Sequence, residues 1–369
     1  MRYSDIIGQA RAKQFLRQLS HSERVPHALL LLGSAGNGSL PLALAFAQAL
    51  QCESTFGEDG GCGVCNACRK TSVWAHPDVH FSYPTVGANA VSTDFLKPWR
   101  AALNETPYMD VNQWLQRLEA DNKQGNITTA ECNAIIKKLS LKTFEGRYKI
   151  LLMWLPEYLG KEGNRLLKLI EEPPEKTVFL LVAENADMVL NTILSRCQLI
   201  KTDILSDEEI TIGLQQKQQL GADRAAQIAF LAGGDFGLAQ IQAVTSENDD
   251  ARLFLDWLRK CWRGNGVEMV QWIEQFAQLG RENQKQFLQY GLHFLREMLQ
   301  LIVSGNTQLR LRAEEMTIAQ NMVKVLSFEK IDALSTLFNE NIYYVERNAN
   351  PKILFLNTSI EINKILKTN

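Results

Sequence analysis

The 369-residue sequence lacks the features that would at once place it in a class defined by charge or membrane insertion. It has no excess of charge of either sign, with 39 Lys and Arg against 41 Asp and Glu, which excludes a basic nucleic-acid coat and a polycationic membrane binder. No run approaches the roughly 20 apolar residues that span a bilayer. Residues 1–5 lack the apolar core of a signal peptide, so we expect a cytoplasmic chain with no membrane partner.

The composition is that of a folded globular protein. Apolar residues make up 46% and charged residues 22% of the chain, which is enough to build sizeable cores. At roughly 150 residues per domain, the length predicts two or three domains. We find neither an internal repeat nor a low-complexity segment.

Residues 1–203 show the pattern of an α/β domain with a largely parallel sheet, because short apolar runs alternate with longer helical stretches. Helices are predicted between the runs, at residues 40–51, 128–141 and 164–171, and Thr128 with Glu131 has the spacing of a capping box. The runs that predict buried strands are residues 28–32, 79–83, 150–155, 178–183 and, shorter, 198–202.

The strand pattern ends near residue 203. Residues 204–246 predict a small helical domain, with helices at 210–219 and 225–232, a second capping-box spacing at Ser206 and Glu209, and a stop at Gly233. Residues 247–369 predict a larger all-α domain.

Four of the seven cysteines lie in one short segment, residues 52–68. Four thiolates can close a tetrahedron around Zn²⁺ with no open position, so the spacing predicts a structural zinc module rather than a catalytic metal. The alternative is a set of unliganded thiols. His76 and His80 are nearby candidate ligands, but four sulfurs already complete the shell. The predicted ligands are Cys52, Cys62, Cys65 and Cys68.

Residues 33–40 (GSAGNGSL) have the layout of a phosphate-binding loop between a strand and a helix, with Gly33, Gly36 and Gly38. Such a loop ends in Lys and then Ser or Thr, which supply a cation for the phosphates and a hydroxyl for Mg²⁺. Ser39 and Leu40 stand at these positions. The sequence therefore predicts a degenerate phosphate loop, and the glycines alone could form a tight turn.

A second position has lost the same chemistry. The strand predicted at 150–155 should be followed by acidic residues that hold Mg²⁺ and orient water, but it ends in Trp154 and Leu155. Glu157 is the nearest carboxylate and is out of register. Without these groups the charge of the γ-phosphate is not neutralised, so we expect no ATP hydrolysis by this chain.

Several segments together resemble the bacterial clamp-loader subunits of DNA polymerase III, which belong to the AAA+ family. Residues 6–9 (IIGQ) resemble the opening motif, residues 26–30 (PHALL) the approach to the phosphate loop, and the cysteines the zinc module that follows it. Residues 164–174 (NRLLKLIEEPP) are close to the family's NALLKTLEEPP run, and residues 192–197 end in its Ser-Arg-Cys motif. Residues 348–350 resemble part of the C-terminal collar domain.

The resemblance implies an AAA+-like domain with a zinc module, a helical lid and a collar. Ser39, Leu40, Trp154 and Leu155 favour the delta-prime type, whose members often lack the ATPase residues, and Leu238 replaces an ATP-contacting arginine of the sensor-2 motif. The implied partners are the gamma/tau and delta subunits and, through the complex, the sliding clamp and primer-template DNA. An ATP-hydrolysing motor subunit remains an alternative, and a stand-alone zinc-containing nucleic-acid-binding protein is a weaker one.

The Ser-Arg-Cys motif supplies the candidate catalytic residues, Ser195 and Arg196. By resemblance, Arg196 projects into the ATP site of a neighbouring subunit, and such a finger in trans can accelerate phosphoryl transfer by about 10³ to 10⁵. The alternative is an ordinary solvated or salt-bridged arginine.

Three other features of the sequence are assigned no function. The basic run Lys137, Lys138, Lys142, Arg147 and Lys149 could contact DNA, although a solvated helix face is the simpler interpretation. The tryptophans are expected mostly in cores, since basic residues are not interleaved with them. Residues 84–127 have weak periodicity and are expected to include a loop.

Overall fold

A computed structural model describes residues 1–22, 24–54, 59–119, 124–244, 249–304, 311, 313–323 and 325–367. The chain divides into two compact units, Met1–Ala243 and Val244–Asn369. No helix among the described residues combines the length and apolar character needed to cross a membrane.

The first unit is built on a parallel sheet. Within the described residues, five strands pair in the order β2-β3-β4-β1-β5, and every pairing between neighbours is parallel. The strands are β1 (Ala28–Leu32), β2 (Val79–Ser82), β3 (Lys149–Trp154), β4 (Thr177–Ala183) and β5 (Gln198–Lys201). All five match the predicted apolar runs to within one residue at each end. For β1, β3 and β4 the physical reason is that parallel strands that are covered on both faces are apolar along their length.

Helices cover both faces of this sheet. Short 3-10 helices form at Tyr3–Asp5, Ser92–Phe95, Pro156–Leu166 and Ala186–Met188. The α-helices of the first unit are α1 (Ala10–His21), α2 (Ser39–Gln51), α3 (Asn66–Ser72), α4 (Leu96–Glu105), α5 (Val111–Arg117), α6 (Thr129–Ser140), α7 (Leu167–Glu171), α8 (Asn191–Leu194), α9 (Asp207–Gln218), α10 (Ala222–Ala232) and α11 (Phe236–Val244).

Alternate residues of the three inner strands, β1, β3 and β4, enter two different cores. Leu29 and Leu31 face α2 and the buried rings of Trp99 and Trp114, whereas Leu30 belongs to the core formed with α6, α7 and α8. The tryptophan prediction is confirmed for Trp99 and Trp114. Their segment, residues 84–127, contains α4 and α5 as well as irregular chain, and residues 120–123 lie outside the described part.

Helices α9 to α11 form a third core with residues from the N-terminal segment and from the connection between α4 and α5. Ile7 and Tyr108 pack against Leu205, Ile210 and their neighbours, and Ser206 caps α9 in the predicted reciprocal capping box with Glu209. These helices therefore belong to the first compact unit. The domain boundaries at residues 203 and 246 stay predictions.

The second unit is helical throughout its described part, as predicted. A core rich in aromatic rings holds it together, and Trp257 stacks on Trp272 with 5.5 Å between ring centroids. The helices are α12 (Asp249–Arg263), α13 (Gly266–Phe276), α14 (Arg281–Ser304), α15 (Ala313–Met322), α16 (Phe328–Glu346) and α17 (Pro351–Lys367). The fold class predicted from the sequence, a parallel α/β domain followed by helices, is confirmed.

Two local predictions are wrong. The helix predicted at 164–171 is an α-helix only from Leu167, because residues up to Leu166 form a 3-10 segment interrupted by Gly160 at φ 52°. The capping box predicted for Thr128 is half formed: Thr128 Oγ1 accepts the N–H of Glu131, but the Glu131 carboxylate accepts the N–H of Ser92 at 2.8 Å.

The basic run is not a single solvated face. Lys149 is buried, and its Nζ donates to the carbonyl oxygens of Leu139 (2.5 Å) and Leu141. It therefore caps the end of α6, and burial lowers its pKa. Lys137, Lys142 and Arg147 are exposed.

A buried carboxylate fixes the loop between α6 and β3. Asp78 accepts the backbone N–H groups of Phe144, Glu145 and Gly146 at 2.6, 2.9 and 2.6 Å. Charge-assisted bonds of this kind are stronger than those between neutral groups. Asp78 precedes β2, so these bonds join the β2 edge of the sheet to the chain that enters β3.

We expect Asp78→Asn to lower the free energy of unfolding by about 2 kcal/mol, because the amide accepts hydrogen bonds less well than the carboxylate. Burial opposes ionisation of Asp78, but its three N–H donors outweigh burial and hold its pKa below the usual 3.8. The stabilisation is therefore present above about pH 4 and is lost as the pH falls through the lower folded-state value. Urea titrations at pH 7 and pH 3 measure it. A difference from wild type that persisted unchanged at pH 3 would contradict this origin, and Asp332→Asn, at an exposed site, is the control.

Candidate functional site

The glycine loop lies at the carboxyl edge of the sheet, between the end of β1 and the start of α2. β1 has β4 on one side and β5 on the other, while the chain that leaves it through α2 returns in β2 at the far edge. Ligands of open α/β sheets bind at such a switch point, outside the carboxyl ends of the strands. The sheet topology therefore places the loop where a nucleotide binds in proteins with this kind of sheet.

The loop is filled by its own side chains. Asn37, which is 1% exposed, donates from Nδ2 to Thr202 Oγ1 at 2.7 Å and accepts from the Ser39 backbone N–H and hydroxyl through Oδ1 at 3.0 and 2.7 Å. Ser39 Oγ also lies 2.8 Å from Thr202 Oγ1. A Cβ on Gly33 would lie 2.1 Å from Asn37 Nδ2, so the amide rests directly on the loop backbone.

The start of α11 closes the loop from the other side. The Phe236 N–H donates to the Gly36 carbonyl oxygen at 3.0 Å, and a Cβ on Gly36 would lie 1.6 Å from Asp235 Oδ1. Gly36 has a φ of 65°, so both its conformation and this contact require glycine. Leu238, predicted at the place of an ATP-contacting arginine, donates its backbone N–H to Asp235 at 2.9 Å.

Little space remains above the loop. The cavity there has a volume of about 20 Å³, and Tyr108, Trp154 and Glu184 line it together with residues 33–41. That volume holds about one water molecule, whereas pockets for small organic ligands are on the order of 300–1,000 Å³.

The acidic side chains near this cavity are arranged unlike a magnesium site. Trp154 and Leu155 are buried, and Glu157 Oε1 accepts the backbone N–H groups of Glu184 (2.5 Å) and Asn185 (2.9 Å). Burial and the neighbouring carboxylates, Glu157 first, raise the pKa of Glu184 to about 7. The edge of the loop thus has, in place of the lysine that such a loop normally has, a carboxyl group that is only partly ionised at pH 7.

The four predicted zinc ligands come together. The sulfurs of Cys52, Cys62, Cys65 and Cys68 all lie within 4.8 Å of one another. Tetrahedral zinc with Zn–S bonds of about 2.3 Å places its sulfurs roughly 3.8 Å apart, so the donor set and its spacing fit. The cluster can hold a metal ion such as zinc. Residues 55–58 of this module lie outside the described residues.

Local structure explains why the sulfurs meet. Cys52 follows the last residue of α2, and Cys65 is the N-cap of α3, where its sulfur accepts the Cys68 N–H at 3.4 Å. The Ser54 hydroxyl and backbone N–H groups lower the pKa of Cys62 to about 6, whereas burial raises that of Cys68.

His76 and His80 are not part of the cluster within the described residues. His76 Nδ1 instead accepts the Asp78 N–H at 3.2 Å, and its Nε2 lies 3.9 Å from Glu145 Oε1. His76 therefore packs against the segment that leads into β2 and accepts a hydrogen bond from it.

Arg196 lies at the surface, in the turn between α8 and β5, with 32% of its side chain exposed. Its Nε donates to Glu171 Oε1 at 2.6 Å, and its Nη1 donates to the Thr192 carbonyl oxygen at 2.6 Å and to Ser195 Oγ at 3.2 Å. The Ser-Arg-Cys motif is thereby joined to the Glu-Glu-Pro-Pro run by an ion pair.

Sequence reasoning missed the partners that come from distant parts of the chain. Thr202 and Asp235 contact the glycine loop, and Glu171 contacts Arg196, although none of them is a local neighbour in sequence. Asn37 stood inside the recognised loop and could have been identified from its type, because Asn readily bonds to nearby backbone and hydroxyl groups. The other three had no local signal.

The glycine loop joins β1 to a buried helix and lies at the carboxyl edge of a parallel sheet with the strand order 2-3-4-1-5. This arrangement defines a P-loop α/β protein. Within that class the particular family can be stated. The chain belongs to the family described as DNA polymerase III, delta subunit, whose model matches residues 8–205.

The curated relatives carry clamp-loader names. A DNA polymerase III subunit delta' of Yersinia pestis is 29% identical over 174 residues, covering 46% of this chain and 40% of the relative. A subunit delta' of Bacillus subtilis is 25% identical over 203 residues, covering 55% and 50%. A subunit gamma of Buchnera aphidicola is 25% identical over 209 residues, covering 56% and 47%.

The chain thus spans half or less of the length of these three relatives. The resemblance to delta-prime clamp-loader subunits, which the motifs indicated, is confirmed by the family match and by the relatives of that name.

We expect the purified chain to carry about one zinc ion, and Cys65→Ser to lose most of it, because three sulfurs leave the tetrahedral shell incomplete. The first unit should be destabilised by several kcal/mol, since the metal ties α2 to α3. Atomic emission of the dialysed protein and thermal unfolding measure the two effects. Cys132→Ala, at a buried cysteine outside the cluster, is the control and should keep its metal. Full zinc content in Cys65→Ser would exclude the four-cysteine site.

Proposed function

We propose that this chain is a non-catalytic, delta-prime-type subunit of a DNA polymerase III clamp loader. It supports ATP-driven loading of a sliding clamp by neighbouring subunits and does not hydrolyse ATP itself. The observation that carries the proposal is the glycine loop, where Ser39 replaces the lysine and its backbone N–H is bonded to the Asn37 side chain.

Two kinds of evidence support an inactive ATP site. The chemical groups for phosphate and Mg²⁺ are replaced by Ser39, Leu40, Trp154 and Leu155. The space for the nucleotide is reduced to about 20 Å³. Glu184 lines the cavity with a carboxyl group whose pKa is about 7, and it offers a triphosphate no positive charge. A nucleotide would have to displace Asn37 and the start of α11 before it met any cation.

Arg196 is proposed to act in trans. In phosphoryl transfer a finger arginine stabilises the charge that develops on the transferred group, and it must reach that group from its own subunit's surface. Arg196 and Ser195 lie in an exposed turn, which supports this role, whereas the glycine loop of the same chain is closed.

The proposed partners are the gamma/tau and delta subunits, with the sliding clamp and primer-template DNA reached through the assembled complex. The helices within residues 247–369 are proposed as the collar that holds the subunits together. Zinc is proposed as a structural ion that fixes residues 52–68, and the cytoplasmic location stays a prediction.

A second candidate function is an ATP-hydrolysing motor subunit of the same complex. The match to a gamma subunit, which covers 56% of this chain, favours it. The filled loop argues against it. A stand-alone zinc-containing nucleic-acid-binding protein is a weaker candidate, since the net charge of −2 provides little attraction for phosphates.

We expect calorimetric titration of Mg²⁺-ATP into the purified chain to show no binding at millimolar nucleotide, and the same sample to show no hydrolysis above the buffer rate. The physical reason is the missing cation together with the occupied cradle. Tight binding with turnover would replace the proposal by the motor function. Binding without turnover would be compatible with a non-catalytic subunit, and the Arg196→Ala variant would then test the role in trans.

We expect Arg196→Ala to assemble normally but to slow hydrolysis at the neighbouring ATP site by at least about tenfold, because that site loses a positive charge from its transition state. Steady-state ATPase of the reconstituted complex, with clamp and primed DNA, measures the effect. Arg165→Ala removes an exposed arginine whose ion pair, among the residues that the structure describes, is with Glu162 three residues away, and it is the matched control. An unchanged ATPase rate in Arg196→Ala would show that Arg196 is not a finger arginine.

A further inference from the structure

The guanidinium group of Arg196 is bound on every nitrogen within its own chain. Nε donates to Glu171 Oε1 at 2.6 Å, and Nη2 makes an ion pair with the same oxygen. Nη1 donates to Thr192 O and to Ser195 Oγ. A finger arginine works by offering these same donors and its charge to a phosphate, so in this arrangement it is engaged elsewhere.

The pair is held by rigid anchors on both sides. Glu171 is the last residue of α7 and follows Ile170, while Arg196 comes shortly after Ile193 in α8. Ile170 and Ile193 are each 1% exposed and belong to the same hydrophobic core. The backbones that carry the two charges are therefore fixed relative to each other, and their contact does not depend on a loose loop.

The contact can nevertheless be exchanged. The side chains of Arg196 and Glu171 are 32% and 44% exposed, so water and a second molecule can reach them. Exposed ion pairs contribute about 0.2–1 kcal/mol, which corresponds to a factor of about 1.4 to 5 in an equilibrium. A phosphate group has more negative charge than one carboxylate and can compete for the same donors.

We infer that Glu171 is a positioning residue that holds Arg196 in its own subunit until the ATP of a neighbouring subunit draws the guanidinium away. The inference rests on the proposed function and adds a regulatory element to it. While the pair is intact, the carboxylate offsets the charge of Arg196 and the neighbouring phosphate is not stabilised. When clamp and DNA bring the subunits together, the phosphate replaces Glu171 as the partner.

The test is Glu171→Gln in the reconstituted complex, with Mg²⁺-ATP hydrolysis measured with and without clamp and primed DNA. Without them, the rate should rise by about two- to fivefold, since the arginine no longer has to leave a charged partner. With both present, the maximal rate should be unchanged, because the finger is already engaged. A residue that only supported the fold would not raise the rate in one state alone.

Glu172→Gln is the matched control, because it neutralises the next carboxylate, which makes no ion pair within the described residues. It should leave both rates as in wild type. The double variant Glu171→Gln, Arg196→Ala should have the rate of Arg196→Ala, because Glu171 acts only through the arginine. Thermal unfolding of each variant shows whether the subunit remains folded.

The possible failures are distinguishable. If Arg196→Ala lowers the rate but Glu171→Gln leaves the unstimulated rate unchanged or lowers it, the inference about Glu171 is overturned and the proposed function stands. If Glu171→Gln raises the rate and the double variant keeps that rise, the effect does not pass through Arg196 and the inference is also wrong. If Arg196→Ala changes nothing, both the finger and its positioning residue are rejected.

Discussion

The burial of helix α2 is the constraint on which the first unit depends. All 13 residues of Ser39–Gln51 are buried, and the helix contacts β1, β3, β4, α1 and α3. Because this helix is buried on every side, its packing against the sheet and the neighbouring helices fixes the positions of both of its ends. One end carries the glycine loop, and the other is followed by Cys52. The candidate nucleotide site and the cysteine cluster are therefore placed by the same element.

The glycine loop has the strand, loop and helix layout of a phosphate-binding site without the lysine that such a site uses. The strand, loop and helix are present, but Asn37 bonds to Thr202 and to the Ser39 N–H, and the Gly36 carbonyl oxygen accepts an N–H from the start of α11. Buried donors and acceptors need partners, and side chains of the same protein supply them here. Under the proposed function, this geometry serves to hold the sheet, α9 to α11 and the surface arginine in fixed positions.

The parts that the sequence predicted well share a local physical cause. Strands such as β1 and β4 are continuous apolar runs because both of their faces are covered, and the four cysteines are close in sequence because one short segment supplies the cluster. The errors arose where a side chain bonds to a partner other than the one that its local motif predicts. Glu131 bonds to Ser92 instead of its own N-cap, and Lys149 is buried against the end of α6 instead of facing solvent.

The sequence by itself determined the five strands, the helix after the glycine loop, the cysteine cluster, the absence of the usual lysine and acidic residues, and the Ser-Arg-Cys motif, because each depends on residue type and short spacing. Only the tertiary structure decided which groups fill the glycine loop and what holds the arginine. Thr202 and Asp235 reach the loop, and Glu171 reaches Arg196, through the pairing of strands and packing of helices that are far apart in the chain. Such contacts leave no periodicity or motif to read, since they exist only when the sheet and its helices are assembled.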